Sequence, residues 1–167
     1  MRFVRVDNGT MTDATTDAIL SAARERLAGS PRERLGDWAA SRRLLGLGRA
    51  PRIVPVTDAW HVGVLLIGDD RVFATGEILR ARHDAVRGYT AESQRARSDR
   101  AAAAHRGGFA EGEVVHLGWE ELDPAAVDRG ERSGILSLAA GVPQVRWSAS
   151  GATRPLADYL DDLLSLR

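Results

Sequence analysis

From Trp60 to Leu79 the sequence repeats with a period of two, and this stretch limits the possible folds more than any other. Trp60, Val62, Val64 and Leu66 alternate with His61, Gly63, Leu65 and Ile67. Gly68-Asp69-Asp70 then offers a turn, after which Val72, Ala74, Gly76 and Ile78 alternate with Arg71, Phe73, Thr75 and Glu77. A period of two places each set on one face of a strand, so the stretch reads as a β-hairpin with the first set turned to a core. A three-residue loop at 68–70 pairs Ile67 with Arg71, Leu65 with Phe73, Gly63 with Thr75 and His61 with Glu77.

The rest of the chain fits around that hairpin as one α+β domain, 1–167, with a mostly antiparallel sheet. Its 167 residues can bury a single sizeable core, and 44% hydrophobic against 28% charged residues is the balance of a folded protein. Residues 1–10 read as a loose terminus or a short strand. Asp13 to Ala28 has helical spacing, with Ile19, Leu20, Ala23 and Leu27 on one face and Gly29 after the end. Ser30-Pro31-Arg32-Glu33 has the form of a capping box with proline at the first helical position, which predicts a second N-terminal helix. Its inner stripe is Leu35, Trp38, Ala39, Arg42 and Leu45, and Gly46 and Gly48 end it.

Arg52 to Val56 reads as a strand leading into the hairpin, placed at an edge or bulged because of Pro51 and Pro55. Thr90 to His105 is rich in Ala and Arg and has no large apolar side chain, so it predicts a helix that packs shallowly through its alanines or projects into solvent. Glu113 to Trp119 is a strand, and Glu120 to Val127 a short helix or turn. Ile135 to Leu138 and Gln144 to Trp147 are two small strands. Leu156, Tyr159, Leu160, Leu163 and Leu164 line one side of a C-terminal amphipathic helix.

Several function classes are excluded by composition. All 23 basic residues other than histidine are arginines, so lysine-dependent nucleotide, Schiff-base and kinase chemistry is closed. With no cysteine there is neither a disulfide scaffold nor a thiolate nucleophile or ligand. The 23 acids balance the arginines, leaving no global field for nucleic acid or an anionic membrane. The N-terminus has no apolar signal segment, and the longest apolar run, Val62 to Ile67, is far shorter than the ~20 residues of a membrane span, so a cytoplasmic protein without membrane contact is expected.

Three candidate sites remain. His61, Glu77 and His116 all fall on expected strands, and a histidine oriented by a carboxylate can serve as a general base. The same trio could hold a divalent metal, although no metal or other cofactor is expected from the motifs. A second candidate is the Arg80–Arg106 stretch, seven arginines against three acids, in which Arg87, Arg95, Arg100 and Arg106 could bind phosphate or a nucleotide. The acids of 111–131, net −6, offer themselves as partners for those arginines within the chain or across a dimer. The third is surface. Trp38, Trp60, Trp119 and Trp147 are expected to anchor the core. With no sharp catalytic motif, the sequence favours a non-catalytic protein acting by contact with a second copy or another protein. Ligand binding or catalysis at His61 and Glu77 is the alternative, and phosphate or nucleic-acid binding comes third.

Overall fold

The computed structural model describes residues 14–40, 50–84 and 91–166. It has an α+β architecture. Helix α1, Thr16–Leu27, starts at Thr15, whose hydroxyl accepts from the Ala18 amide at 3.2 Å. Asp13, where the helical spacing begins in the sequence, lies outside the described residues. Leu20, Ala23 and Leu27 form its buried face, and Gly29 after its end has φ +83°, which suits glycine.

The second N-terminal helix does not form over the described residues. Glu33–Trp38 is strand β1, pairing antiparallel with β2, Ile53–Val62, on one side and parallel with β6, Val114–Leu117, on the other. Pro31 has a fixed φ that suits an extended chain as well as a first helical turn. Two neighbouring strands satisfy the backbone of β1 from both sides, and tertiary pairing of this kind overrides a local helical preference. A side chain at Gly36 would crowd this strand's neighbours: a Cβ would stand 2.7 Å from Ile53 Cγ2 and 3.2 Å from the Phe109 ring. The remainder of the expected helix, 41–49, lies outside the described residues.

The hairpin exists, but its register differs by one residue. Strand β3 is Leu65–Ile67 and β4 is Val72–Ala74, with Ile67 opposite Val72, Leu66 opposite Phe73 and Leu65 opposite Ala74. The connection is therefore four residues, 68–71, closed by the Gly68 amide on the Arg71 carbonyl at 2.8 Å. A second tight turn at Gly63 and Val64 joins β2 to β3, with His61 opposite Leu66 and Trp60 opposite Ile67. That turn shifts the parity of the strands after it. Trp60, Val62, Leu65, Ile67, Val72 and Ala74 pack in one cluster with Leu20 and Leu27 of α1 and with Leu156 and Leu160 of the C-terminal helix α4, Leu156–Leu164. Leu66 and Phe73 join Leu35 and Ala59 on the opposite face, with Trp119 against them. Both faces are thus buried, and Ile78, expected inside, is exposed.

Strand β5, Glu77–Arg80, pairs with β6, while β4 pairs with β7, Glu120–Leu122. Only Thr75-Gly76 separates β4 from β5, and only Gly118-Trp119 separates β6 from β7. Each couple is one long strand with a bend, and the two bends meet, since a Cβ on Gly76 would stand 2.3 Å from the Gly118 carbonyl oxygen. The parallel β1–β6 seam then returns the meander on itself as a barrel-like circuit. Within β2 the register skips Val56 opposite Leu35 and Gly36, so Pro55 sits beside a bulge, in an interior strand.

Helix α2, Glu92–Arg106, buries Ala101 to Ala104, and Ala103 and Ala104 pack with Ile53, Leu79, Phe109 and Val115. Residues 120–127, expected as a helix or turn, divide into β7 and helix α3, Pro124–Asp128, which Asp123 caps. Strands β8, Leu136–Ala139, β9, Val142–Arg146, and β10, Thr153–Pro155, make a separate three-stranded sheet. Among the tryptophans, Trp60 is buried and Trp119 packs on Phe73, whereas Trp38 and Trp147 are about half exposed, contrary to the expectation of four core anchors. No helix among the described residues is long and apolar enough to cross a membrane.

Candidate metal centre

Three strands bring Glu33, His61 and His116 together. Alternation puts Glu33 on the same face of β1 as Leu35, and Leu35 lies opposite His116 in the parallel seam. His61 lies on the same face of β2 as Ala59, which is opposite Glu33. All three side chains consequently share the inner face that holds Leu35, Ala59, Leu66 and Phe73.

One carboxylate oxygen serves both rings. Glu33 Oε2 lies 2.5 Å from His116 Nε2 and 3.4 Å from His61 Nδ1, and the two imidazoles meet edge to face with centroids 4.8 Å apart. His61 is oriented from behind, because its Nε2 is 2.9 Å from the Gly63 carbonyl oxygen, to which it donates as the Nε2–H tautomer. With Nε2 on the Gly63 carbonyl, Nδ1 is the nitrogen that faces Glu33.

The turn carrying that carbonyl is clamped. Gly63 has φ +59°, a Cβ there would stand 2.0 Å from the Tyr159 hydroxyl oxygen, and that oxygen accepts from the Val64 amide at 2.9 Å. Helix α4 thus fixes the ring on β2 through a glycine, in the manner of outer partners that orient metal ligands.

The electrostatics differ between the rings. The His116 side chain is 0% exposed, and burial holds its pKa below the ordinary value, opposed by the bond from Glu33 and reinforced by His61. His116 Nδ1 is buried without a hydrogen-bond partner among the described residues. The side chains of His61 and Glu33 are 28% and 35% exposed, so solvent reaches the centre from their side. Glu33 also lines a cleft of about 340 Å³ with Arg32, Arg34, Asp58, Glu113 and Val114.

General-base catalysis fits this geometry poorly. The ring with the shorter carboxylate contact is sealed from solvent, and the accessible ring has one nitrogen on Gly63 and the other on Glu33. Metal ligation fits better. Donor atoms of the three residues lie within 4.8 Å of one another, and two imidazoles with a carboxylate form a ligand set for first-row divalent ions. Ligands of a tetrahedral zinc ion at about 2.0–2.1 Å stand roughly 3.3 Å apart. The His61–Glu33 separation is close to that edge, whereas the His116–Glu33 contact would have to open by a fraction of an ångström to admit an ion. With Nε2 as the ligand atom, the ring hydrogen of His116 would sit on Nδ1.

Of the residues expected from sequence, His61 and His116 meet, but Glu77 is elsewhere. It pairs with Leu117 on β6, and its carboxylate binds Arg97 Nη1 at 3.1 Å and Arg100 Nε at 2.7 Å. The turn at Gly63, the one-residue slip at 68–71 and the pairing of β5 with β6 remove it, and Glu33 takes its place. Glu33 was hidden in an apparent capping box, and the signal against that helix was Gly36, which costs a helix interior about 1 kcal/mol.

The arginines are also redistributed. Arg100 is held by Glu77, Arg106 donates to the Pro51 carbonyl at 3.0 Å, Arg95 is exposed, and Arg87 lies outside the described residues. The acids of 111–131 pair instead with arginines outside α2: Glu113 with Arg34, Glu121 with Arg71 and Glu131 with Arg129. Comparison with known proteins supplies no relative: no protein-family model, no curated protein and no solved structure matches this chain.

Proposed function

We propose that this protein binds a divalent first-row transition-metal ion, such as Zn²⁺, through Glu33, His61 and His116. The observation that carries the reading is the single carboxylate oxygen shared by one nitrogen from each of two histidines. Three protein ligands leave a coordination position for water or substrate, an arrangement suited to metal-assisted hydrolysis. The partial exposure of His61 and Glu33 gives that position access to solvent.

Titration with Co²⁺, followed by visible absorption, tests the reading. Saturable uptake with ligand-field bands is expected in the wild type and not in Glu33→Gln or His61→Ala. Equal uptake by all three proteins would remove the assignment. A second reading, contact between copies of the chain, is favoured by the half-exposed Trp38 and Trp147, since tryptophan is enriched at interfaces. Sedimentation of wild type against Trp38→Ser and Trp147→Ser decides that reading, and a monomer at every concentration excludes it.

A further inference from the structure

We propose that the cleft between α2 and the outer edge of β5 binds a small organic phosphate, whose dianion is held by Arg80, Arg82 and Arg97. Among the described strands β5 pairs only with β6, and α2 packs against β5. Arg97 Nη2 donates to the Ile78 carbonyl at 2.6 Å, and the Arg82 amide to the Ala101 carbonyl at 3.1 Å. Between these contacts is a cleft of about 570 Å³, within the range of roughly 300–1,000 Å³ common for small-molecule sites.

The lining is basic and partly apolar. Arg80, Arg82 and Arg97 contribute guanidinium groups, Gln94 and Ser98 neutral polar ones, and Ile78 part of the apolar floor; among the described residues no acid lines the cleft. Glu77, beside Arg97, is shared with Arg100, so one negative charge answers two positive ones. Arg80 Nη1 is fixed on the Gly112 carbonyl at 3.1 Å, leaving its other donors for a ligand. Arg82 makes no ion pair among the described residues. Glu111 accepts from the His83 amide, and Asp84 pairs with the His83 ring.

Guanidinium groups converging on an oxyanion form charge-assisted, paired hydrogen bonds, and a dianion answers the surplus charge better than a monocarboxylate. The apolar floor suits the carbon skeleton of a phosphate ester. Among the described residues no aromatic ring lines the cleft, which argues for a small phosphate ester over the stacked bases of single-stranded nucleic acid. Because none of these residues belongs to the metal centre, the two sites can be separated by experiment.

Isothermal titration with glycerol 3-phosphate, in EDTA and at low salt, is the test, with glycerol as the control. Saturable binding is expected in the wild type and in Arg95→Ala, which alters an α2 residue outside the cleft. Loss of a charge-assisted contact should weaken binding at least about fivefold in Arg82→Ala and in Arg80→Ala. Equal affinity in the arginine variants overturns the proposal, as does full displacement by an equal concentration of chloride. Tighter binding of a short oligonucleotide than of glycerol 3-phosphate also overturns it, by identifying the wrong class of ligand. Binding that requires added zinc assigns the phosphate to the metal centre and overturns it too.

Discussion

Replacing Glu33 separates its structural contribution from its role as a ligand. In the metal-free protein its carboxylate accepts from a ring with no solvent exposure at 2.5 Å. Glu33→Gln retains an acceptor of the same shape, so a charge-assisted bond of about 1.5–3 kcal/mol becomes a neutral one of about 0.5–1.5 kcal/mol, a loss near 1 kcal/mol. Glu33→Ala also strands the buried Nε2, which adds a desolvation cost of about 1–3 kcal/mol. For a chain of this length, 1 kcal/mol lowers Tm by about 2–4 °C. Urea unfolding in EDTA should therefore rank wild type above Glu33→Gln and Glu33→Ala last, with similar slopes. Zinc at a hundred times its Kd should stabilise the wild type by about 2.7 kcal/mol and neither variant. Should Glu33→Ala equal the wild type in EDTA, the Glu33–His116 contact does not hold; should Glu33→Gln keep the zinc response, the carboxylate is not a ligand.

The remaining predictions concern the same inner face and its supports. His116 has a folded-state pKa below the ordinary 6.5, so as pH falls below that value the unfolded chain takes up its proton first. Stability in EDTA should thus decline on acidification through that window, by at most about 1.4 kcal/mol per pH unit from this group, and a His116→Gln variant should show a flatter profile by urea unfolding. Gly63→Ala forces a side chain into a left-handed turn and against Tyr159, and should cost more than about 1 kcal/mol while weakening Co²⁺ uptake through the displaced carbonyl. Tyr159→Phe should cost about 0.5–1.5 kcal/mol by removing the acceptor for the Val64 amide, read from thermal unfolding. Leu66→Ala, in the cluster beneath the three ligands, should cost about 2–5 kcal/mol, and a smaller loss would place Leu66 outside that core.

Elements are legible in the sequence where the interactions that form them are local. Helices α1, α2 and α4 repeat with helical spacing or composition, and each is found close to where those patterns put it. The period of two around Trp60 identified strands correctly, but register depends on turn geometry. A four-residue turn instead of three at 68–71 and an unforeseen turn at Gly63 were enough to separate His61 from Glu77. Strand β1 was illegible for a different reason. Its partners are β2 and β6, the latter about eighty residues away, and Ser30 to Glu33 matches a helix start in every local respect. Two of the three candidate ligands, His61 and His116, were visible as histidines on strands. The carboxylate that joins them was not, because only the long-range seam puts Glu33 on their face.

That seam also bears on when the centre can exist during folding. The β1–β2, β2–β3 and β3–β4 pairings join neighbouring stretches of chain, whereas Glu33 and His116 are 83 residues apart. Pairing over such a separation must close a long loop before any contact rewards it, which slows folding relative to a simple meander. A partly folded chain with its first three hairpins in place holds Glu33 and His61 but lacks the third ligand. On the proposed function, capture of an ion would mark the closing of the circuit, and stopped-flow refolding in Co²⁺ should show the absorption bands arising in the slowest phase, together with the packing of Trp119 on Phe73.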